Sequence, residues 1–421
     1  MSARALYAQL VRLLVPFALA RLLWRSRRAP AYRRRWRERL GYGAAVPGRP
    51  LWVHAVSVGE VMAALPLIDA FRARHPDVPL LVTTTTPTGA ERVADRLGQA
   101  VIHRYLPFDA PGAVRRFLDL AEPRLGIVME TEIWPNLIAA AEARGLPMVL
   151  ANARLSARSA RGYARFPALV RPALRGFAAV AAQTQADAER LCALGASPER
   201  VEVTGSVKFD QRLPAAQREA GQGLRAQLGA GRPVWVAAST HEGEEIAALA
   251  AHRRLRDRLA DAALILVPRH PERFDGVAAE TRRAGWTPVR RSRGEVPDTD
   301  AAVFLGDTMG ELPLYLAAAD VVFMGGSLVA VGGHNMLEPA ALGLPVLTGP
   351  QVFNFQAVAE LLDEAAALRY VDDAESLATA LAELLADAPE RDRMGRAGAE
   401  VVAAHRGACE RTLALVEPLL P

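Results

Sequence analysis

Lysine is all but absent from this chain: of 51 basic side chains, 50 are arginine, and the one exception is Lys208 in the stretch VTGSVKFD. Cysteine is nearly as scarce. Cys192 and Cys409 stand alone, with neither CxxC nor metal-type spacing, which excludes a disulfide framework and a cysteine-bound zinc. The two thiols fit a reducing compartment and read as core filler. No extended low-hydrophobicity segment is present either, since 51% apolar and 23% charged residues describe a globular chain. With 421 residues, one hydrophobic core is too few, and two domains are expected.

Acidic residues are missing from one end. Residues 1–40 hold eleven arginines against Glu38 alone, so this segment carries about +10 and the remainder about −5, a division hidden by the net +5. The basic charge accompanies an apolar run, LYAQLVRLLVPFALARLLW (6–24), which Arg12 and Arg21 interrupt. No small-residue cleavage site follows it, as a removed signal peptide would require. Two arginines also make it marginal as a bilayer-spanning helix. A shallow amphipathic anchor fits better, with its arginines reaching toward anionic headgroups. The apolar length argues against a nucleic-acid arm, so anionic lipid is the expected partner and nucleic acid is not. Positive flanking charge places the following chain on the cytoplasmic side.

From residue 50 the chain alternates short apolar runs with helical stretches. LWVHAVS (51–57), LLVTTTT (80–86), VIHRYLP (101–107), LGIVMETE (125–132), PMVLANAR (147–154), AAVAAQT (178–184) and VEVTGS (201–206) read as strands. After the polar stretch QRLPAAQREAGQG the pattern restarts with PVWVAAST (233–240), ALILVPRH (263–270), AAVFLGD (301–307), VVFMGGS (321–327) and LPVLTGP (344–350). Such alternation predicts α/β architecture with parallel sheets covered by helices. The expected organisation is an anchor over 1–40, a Rossmann-like domain over 41–210, a linker over 211–230, and a second Rossmann-like domain over 231–421 whose final helices pack back on the first.

In these sheets ligands gather at the carboxyl ends of the strands, and the unusual residues lie there. Glu60 of SVGE opens a helix after the first strand; the plainer reading is a first-turn acid complementing the helix dipole. Glu130 and Glu132 of ETEIWPN stand two apart, on one face of an extended chain, with an ion pair to arginine as the competing account. Lys208 follows the seventh strand at the same edge, although survival of one lysine through a coding bias explains it as well. In the second half, Pro268 and Arg269 follow a strand, and Arg269 could hold a phosphate through paired hydrogen bonds. Met309 and Gly310 turn into a helix and offer backbone N–H groups suited to an anion. Glycines surround Ser327, and Asn335 and Glu338 start another helix, where a glutamate could accept from a nucleoside-sugar hydroxyl pair. His334 and Glu338 are four apart, but two ligands do not make a metal site.

In order along the chain, HAVSVGE, TTTTPTG, YLPFD, ETEIWPN, NARLS, GSVKFD, ASTHEGEE, VPRHPERF, DTMGEL, GGSLV and GGHNMLEPA resemble the 3-deoxy-D-manno-octulosonic acid (Kdo) transferases that glycosylate lipid A precursors. The resemblance implies a GT-B type, inverting, metal-independent glycosyltransferase, two Rossmann-like domains facing a cleft, held by an N-terminal helix at the cytoplasmic face of the inner membrane. It implies CMP-Kdo as donor substrate, a lipid A precursor (a tetraacylated disaccharide bisphosphate) as acceptor, and no cofactor. Glu60 then falls at the position of the general base, and Glu130 and Lys208 at positions that stabilise the transition state. Pro268 and Arg269, then Met309, Gly310 and Glu311, then Asn335, Met336, Leu337 and Glu338 fall in the CMP-contacting segments. Alternatives are another two-Rossmann sugar-nucleotide enzyme, a heptosyltransferase or hexosamine epimerase, or a membrane-bound sugar-nucleotide binder without turnover.

Overall fold

The structure is a computed structural model that describes residues 2–27, 29–210 and 215–420. It divides into two compact units, Met1–Asp210 with Arg406–Pro421, and Gln211–His405.

The first unit is built on β1 (Leu51–His54), β2 (Leu80–Thr84), β3 (Ile102–Tyr105), β4 (Leu125–Met129), β5 (Met148–Ala153), β6 (Ala179–Ala182) and β7 (Val201–Val203). They pair in the order β3-β2-β1-β4-β5-β6-β7, all in parallel. Every residue of β1, β2, β4, β5 and β6 is buried, which is why these strands read as unbroken apolar runs rather than alternating ones. The chain runs outward from β1 to β3 and then crosses to β4, so the ends of β1 and β4 form the topological switch point of this sheet.

Glu60 stands in the first turn of helix Val58–Arg74, which is held from behind by the other end of the chain. Helix Ala408–Val416 packs on it, burying Leu413 and Val416 completely in the same core as Val61, Leu67 and Ile68. Each such aliphatic side chain contributes about 1.5–3 kcal/mol by leaving water. The docking is fixed at its start by Asp210, whose carboxylate accepts from the backbone N–H groups of Gly407 and Cys409, both at 2.6 Å.

Helix Ala3–Arg25 is long and apolar enough to cross a membrane, and Leu6, Leu10, Leu13, Leu14, Phe17, Leu23 and Trp24 are exposed on it. It packs on helices Pro135–Glu142 and Pro167–Arg175. The sequence reading carries the anchor to residue 40, but the chain joins the fold before that. Glu38 accepts from the N–H of Tyr105 at 2.8 Å, Arg39 is buried and donates to the Thr85 carbonyl, and the Leu40 carbonyl accepts from Arg116.

The second unit repeats the plan with β8 (Val234–Thr240), β9 (Ala263–Pro268), β10 (Pro288–Arg290), β11 (Val303–Leu305), β12 (Val321–Met324), β13 (Val346–Thr348) and β14 (Leu368–Tyr370). Their order is β10-β11-β9-β8-β12-β13-β14, again parallel, with the switch point between β8 and β12. The edge strands β10 and β14 escape the sequence reading because each is only three residues long, PVR and LRY, and is not apolar throughout. The stretch read as a linker over 211–230 contains helix Ala215–Leu228, while residues 211–214 lie outside the described ones. Its Gly221 lets it lie flush on helix Leu312–Ala317: a Cβ there would sit 2.5 Å from Ala317 Cβ. Glycine in a polar stretch signals close packing here, not flexibility.

Candidate active site

At the first switch point three carboxylates and the single lysine converge. Glu60 reaches back over its own helix start, accepting from the Val56 N–H at 2.8 Å and the Ser57 hydroxyl at 3.3 Å. That geometry supports the helix-start reading in part, but it does not use up the group. The carboxylate is half-buried, and its pKa is pushed up to about 7, first by burial and then by the charges of Glu130 and Glu132. Glu132 is likewise raised to about 7 by burial, with Glu130 adding to it. A carboxylate poised near neutrality can take a proton as readily as give one.

The reason given by the sequence for Glu130 and Glu132 sharing a face does not hold. Strand β4 ends at Met129, and Glu130 has φ +57°, a left-handed conformation that costs a non-glycine residue about 1 kcal/mol or more. The turn is held from both sides: the Glu130 N–H donates to the Ala151 carbonyl at 2.9 Å, and the Thr131 hydroxyl donates to the Arg154 carbonyl. The partner of Glu130 is not an arginine. Lys208 Nζ stands 3.6 Å from Glu130 Oε1, each side chain about a third exposed, so the pair adds little stability.

Lys208 is placed with more care than such a pair requires. It sits in a single 3-10 turn, Val207–Asp210, between buried Val207 and Phe209. The Val207 N–H donates to Asn152 Oδ1 at 3.2 Å, and Asp210 is tied to Gly407 and Cys409. Asn152 can reach Val207 because β5 bulges there, with φ +54° at Asn152 itself.

In the second unit the expected donor residues emerge from the ends of three strands, β9, β11 and β12, which lie within the sheet order β11-β9-β8-β12. Pro268 closes β9 and is buried; Arg269 follows, its N–H donating to the Thr240 carbonyl at 3.0 Å. After β11, Met309 and Gly310 are exposed, Gly310 with φ +83°. Glu311 is already engaged, its carboxylate accepting from Arg291 at 2.7 and 3.1 Å and from Thr308, which holds its pKa down at about 2. After β12, Asn335 Nδ2 donates to Glu338 Oε1 at 3.0 Å. Met336 and Leu337 are buried, so their side chains serve the core and only their backbone is on offer.

The glycine-rich loop after β12 is not an open anion cradle. Its N–H groups are taken by Glu244, an acid that the sequence reading did not single out. Glu244 Oε2 accepts from His241 N and Gly326 N at 2.9 and 2.7 Å, and Oε1 from Ser327 N and Leu328 N, both at 2.9 Å. A Cβ at Gly325 would come within 2.9 Å of that carboxylate, which is why the turn is glycine. Ser327 is fully buried, donating to the Met324 carbonyl and accepting from Gly349. Also unanticipated is a histidine stack. His241 and His334 face each other with Nε2 atoms 2.9 Å apart, and His270 meets the His241 ring edge-on. His334 is held down at about 3, by burial and then by His241 and Arg269. Two expressions of one signal mark these residues: ASTHEGEE occupies in the second sheet the place of HAVSVGE in the first.

Two parallel sheets of seven strands, each with polar groups at its switch point, give the chain a GT-B type fold. The family described as 3-deoxy-D-manno-octulosonic-acid transferase (kdotransferase) matches residues 34–211, and that described as glycosyl transferases group 1 matches residues 298–401. A 3-deoxy-D-manno-octulosonic acid transferase of Haemophilus influenzae is 41% identical over 99% of both chains, and one of Bordetella pertussis 44% identical, again over 99% of both. The UDP-GlcNAc 2-epimerase of Neisseria meningitidis shares the fold, with a TM-score of 0.57 at 13% identity over 88% of this chain and all of the other. The chain belongs to the 3-deoxy-D-manno-octulosonic acid (Kdo) transferase family.

Proposed function

We propose that the protein transfers Kdo from CMP-Kdo to a lipid A precursor, the tetraacylated disaccharide bisphosphate, with inversion at the anomeric carbon and without a metal. The observation that carries this reading is the carboxylate of Glu60 at the first switch point, poised near neutrality beside Glu130 and Lys208. In the proposed reaction Glu60 takes the proton of the acceptor hydroxyl as its oxygen bonds to the anomeric carbon. The bond from that carbon to the CMP phosphate breaks, and its electron pair leaves with the phosphate. Charge develops at both ends, and groups fixed in advance at those places lower the barrier. Glu130 and Lys208 serve the transition state; Glu130 fixes the ammonium, whose compact charge a guanidinium does not copy. Arg269, the backbone at Met309 and Gly310, and Asn335 to Glu338 serve the nucleotide, with Glu311 acting through its backbone because its carboxylate is occupied. The exposed leucines of helix Ala3–Arg25 and the arginines beside them bring the enzyme to its acceptor at the cytoplasmic face of the inner membrane.

The deciding experiment offers the full-length protein CMP-Kdo and the disaccharide bisphosphate in detergent micelles, following Kdo-lipid by mass spectrometry and CMP release. Stoichiometric transfer that persists in EDTA is expected. Transfer from ADP-heptose or epimerisation of UDP-GlcNAc instead would replace the reading with another two-Rossmann enzyme. Donor binding without any product would make the chain a binder, and activity restored by magnesium after chelation would overturn metal independence.

A further inference from the structure

Two runs of this chain are unusually long without an acid. Residues 143–186 carry seven arginines and no carboxylate, and residues 1–37 carry ten arginines and none. With 46 acids in 421 residues, a stretch as long as the first would ordinarily hold about five. The two runs are neighbours in the fold, because helix Ala3–Arg25 packs on helix Pro167–Arg175.

The first run has an ordered face. Arg158, Arg161 and Arg165 recur at i, i+3 and i+7 along helix Ala157–Tyr163 and just beyond its end, which sets them on one side. All three are exposed, as is Arg154 at the end of β5, and among the described residues none of the four forms an ion pair with a carboxylate. An arginine surface kept only for solubility would intersperse acids; this one excludes them. The face also reaches the carboxylate edge. Thr131, between Glu130 and Glu132, donates to the Arg154 carbonyl, and the Tyr163 phenol lies close enough to Glu132 to feel its charge.

We propose that Arg154, Arg158, Arg161 and Arg165 form the docking site for a phosphate of the phosphorylated acyl-disaccharide acceptor, and thereby set which hydroxyl reaches Glu60. The inference rests on the acceptor named above. A phosphate monoester carries about two negative charges and matches the planar forks of two arginines. Ordinary headgroups would need only the basic residues around the apolar helix. A face that continues to the turn bearing Glu130 suits the reacting molecule instead.

The test is direct binding, independent of turnover. Full-length protein in non-ionic micelles is titrated with the tetraacylated disaccharide bisphosphate and with the same lipid after phosphatase treatment. Wild type should prefer the bisphosphate about 10- to 100-fold, the loss expected from removing a charge-assisted contact or two. The Arg158→Gln/Arg161→Gln/Arg165→Gln variant should bind both lipids as wild type binds the dephosphorylated one, with an unchanged thermal melt. A variant that keeps the wild-type preference overturns the proposal. So does one that keeps it while losing flotation with phosphatidylglycerol vesicles, which would make the face a headgroup patch. Kdo transfer by the same wild-type preparation is scored separately. Its absence would fell the acceptor reaction, while the phosphate preference would still decide the arginine face.

Discussion

Glu60 and Glu244 occupy the same place in two sheets, and they have opposite fates. Each is an acid in the first turn of the helix that follows the first strand, at the switch point where an open α/β sheet binds ligands. Glu244 is buried and accepts four backbone N–H bonds, three of them from the loop after β12. Nothing of it is left for chemistry; it is the keystone of a turn. Glu60 is half-buried, accepts one backbone N–H and one hydroxyl, and is lifted toward neutrality by burial and two neighbouring carboxylates. Position in the fold does not distinguish an acid left free to react from a structural one. The number of its lone pairs already satisfied does.

That contrast is most open to attack through matched substitutions. Glu60→Gln should fold and bind donor normally while losing about 10²- to 10⁴-fold in kcat, the usual span for a general base. Glu244→Gln should do the reverse. An amide replaces one accepting oxygen by a donor aimed at two N–H groups, at a cost of about 3 kcal/mol and about 10 °C in the melt of that unit. Equal melting temperatures, or near-normal turnover in Glu60→Gln, would break the comparison. Next in size comes Lys208. A misplacement of about 1 Å can cost on the order of 10²-fold in rate, so Lys208→Arg should lose kcat with donor affinity less affected, and Lys208→Ala should lose more. Wild-type kcat in Lys208→Ala would return the lysine to an accident of codon usage.

How much of this was legible depended on what each residue depends on. The strands of both sheet interiors announce themselves because burial on two faces demands unbroken apolar runs, and LWVH and VWVAAST supply them. Short edge strands carry no such demand and went unseen. Glu60, Glu130 and Lys208 were legible because each sits just past a recognisable strand. Glu244 also sits just past one, in ASTHEGEE, but its role lies in N–H groups more than eighty residues away in the chain, which no local pattern displays. The polar, glycine-containing stretch after residue 211 misled for a related reason: Gly221 serves Ala317, a distant partner.

A smaller effect tests where the first unit begins. Removing residues 1–33 deletes the apolar helix but keeps Glu38, Arg39 and Leu40, which bond into β3 and its surroundings. The truncated protein should melt within a few degrees of the full chain, since its strands and both cores remain. Asp109 loses the Tyr7 hydroxyl yet keeps the N–H groups of Asn136 and Leu137. Sedimentation with anionic vesicles should weaken, and the difference should shrink in high salt. Removing residues 1–40 should instead lower the melt further, and identical sedimentation by full-length and truncated protein would sink the anchor.

The smallest expected effect is a shift in pH. As the proposed base Glu60 must be ionised to accept a proton, and its carboxyl is raised from the ordinary glutamate range to about 7. Turnover per encounter, kcat/KM, should therefore rise with pH along a limb centred near neutrality. Stability should run the other way. A carboxylate raised in the folded state binds its proton more tightly there than when unfolded, so its contribution is present in acid and lost as pH climbs through about 7. Glu60→Gln should then gain stability relative to wild type above neutrality and lose that advantage in acid. Glu132 supplies part of the lift and is itself raised to about 7, so the two titrate as a pair. Glu132→Gln removes one negative neighbour while leaving burial, the larger cause, in place. The limb should move to lower pH by a fraction of a unit with the plateau rate little changed. A pH–rate profile of the two proteins, measured over the same range, decides it: a limb that stays where it was would separate Glu132 from Glu60, and a limb that moves upward would contradict a negative charge at Glu132 acting on the titrating group.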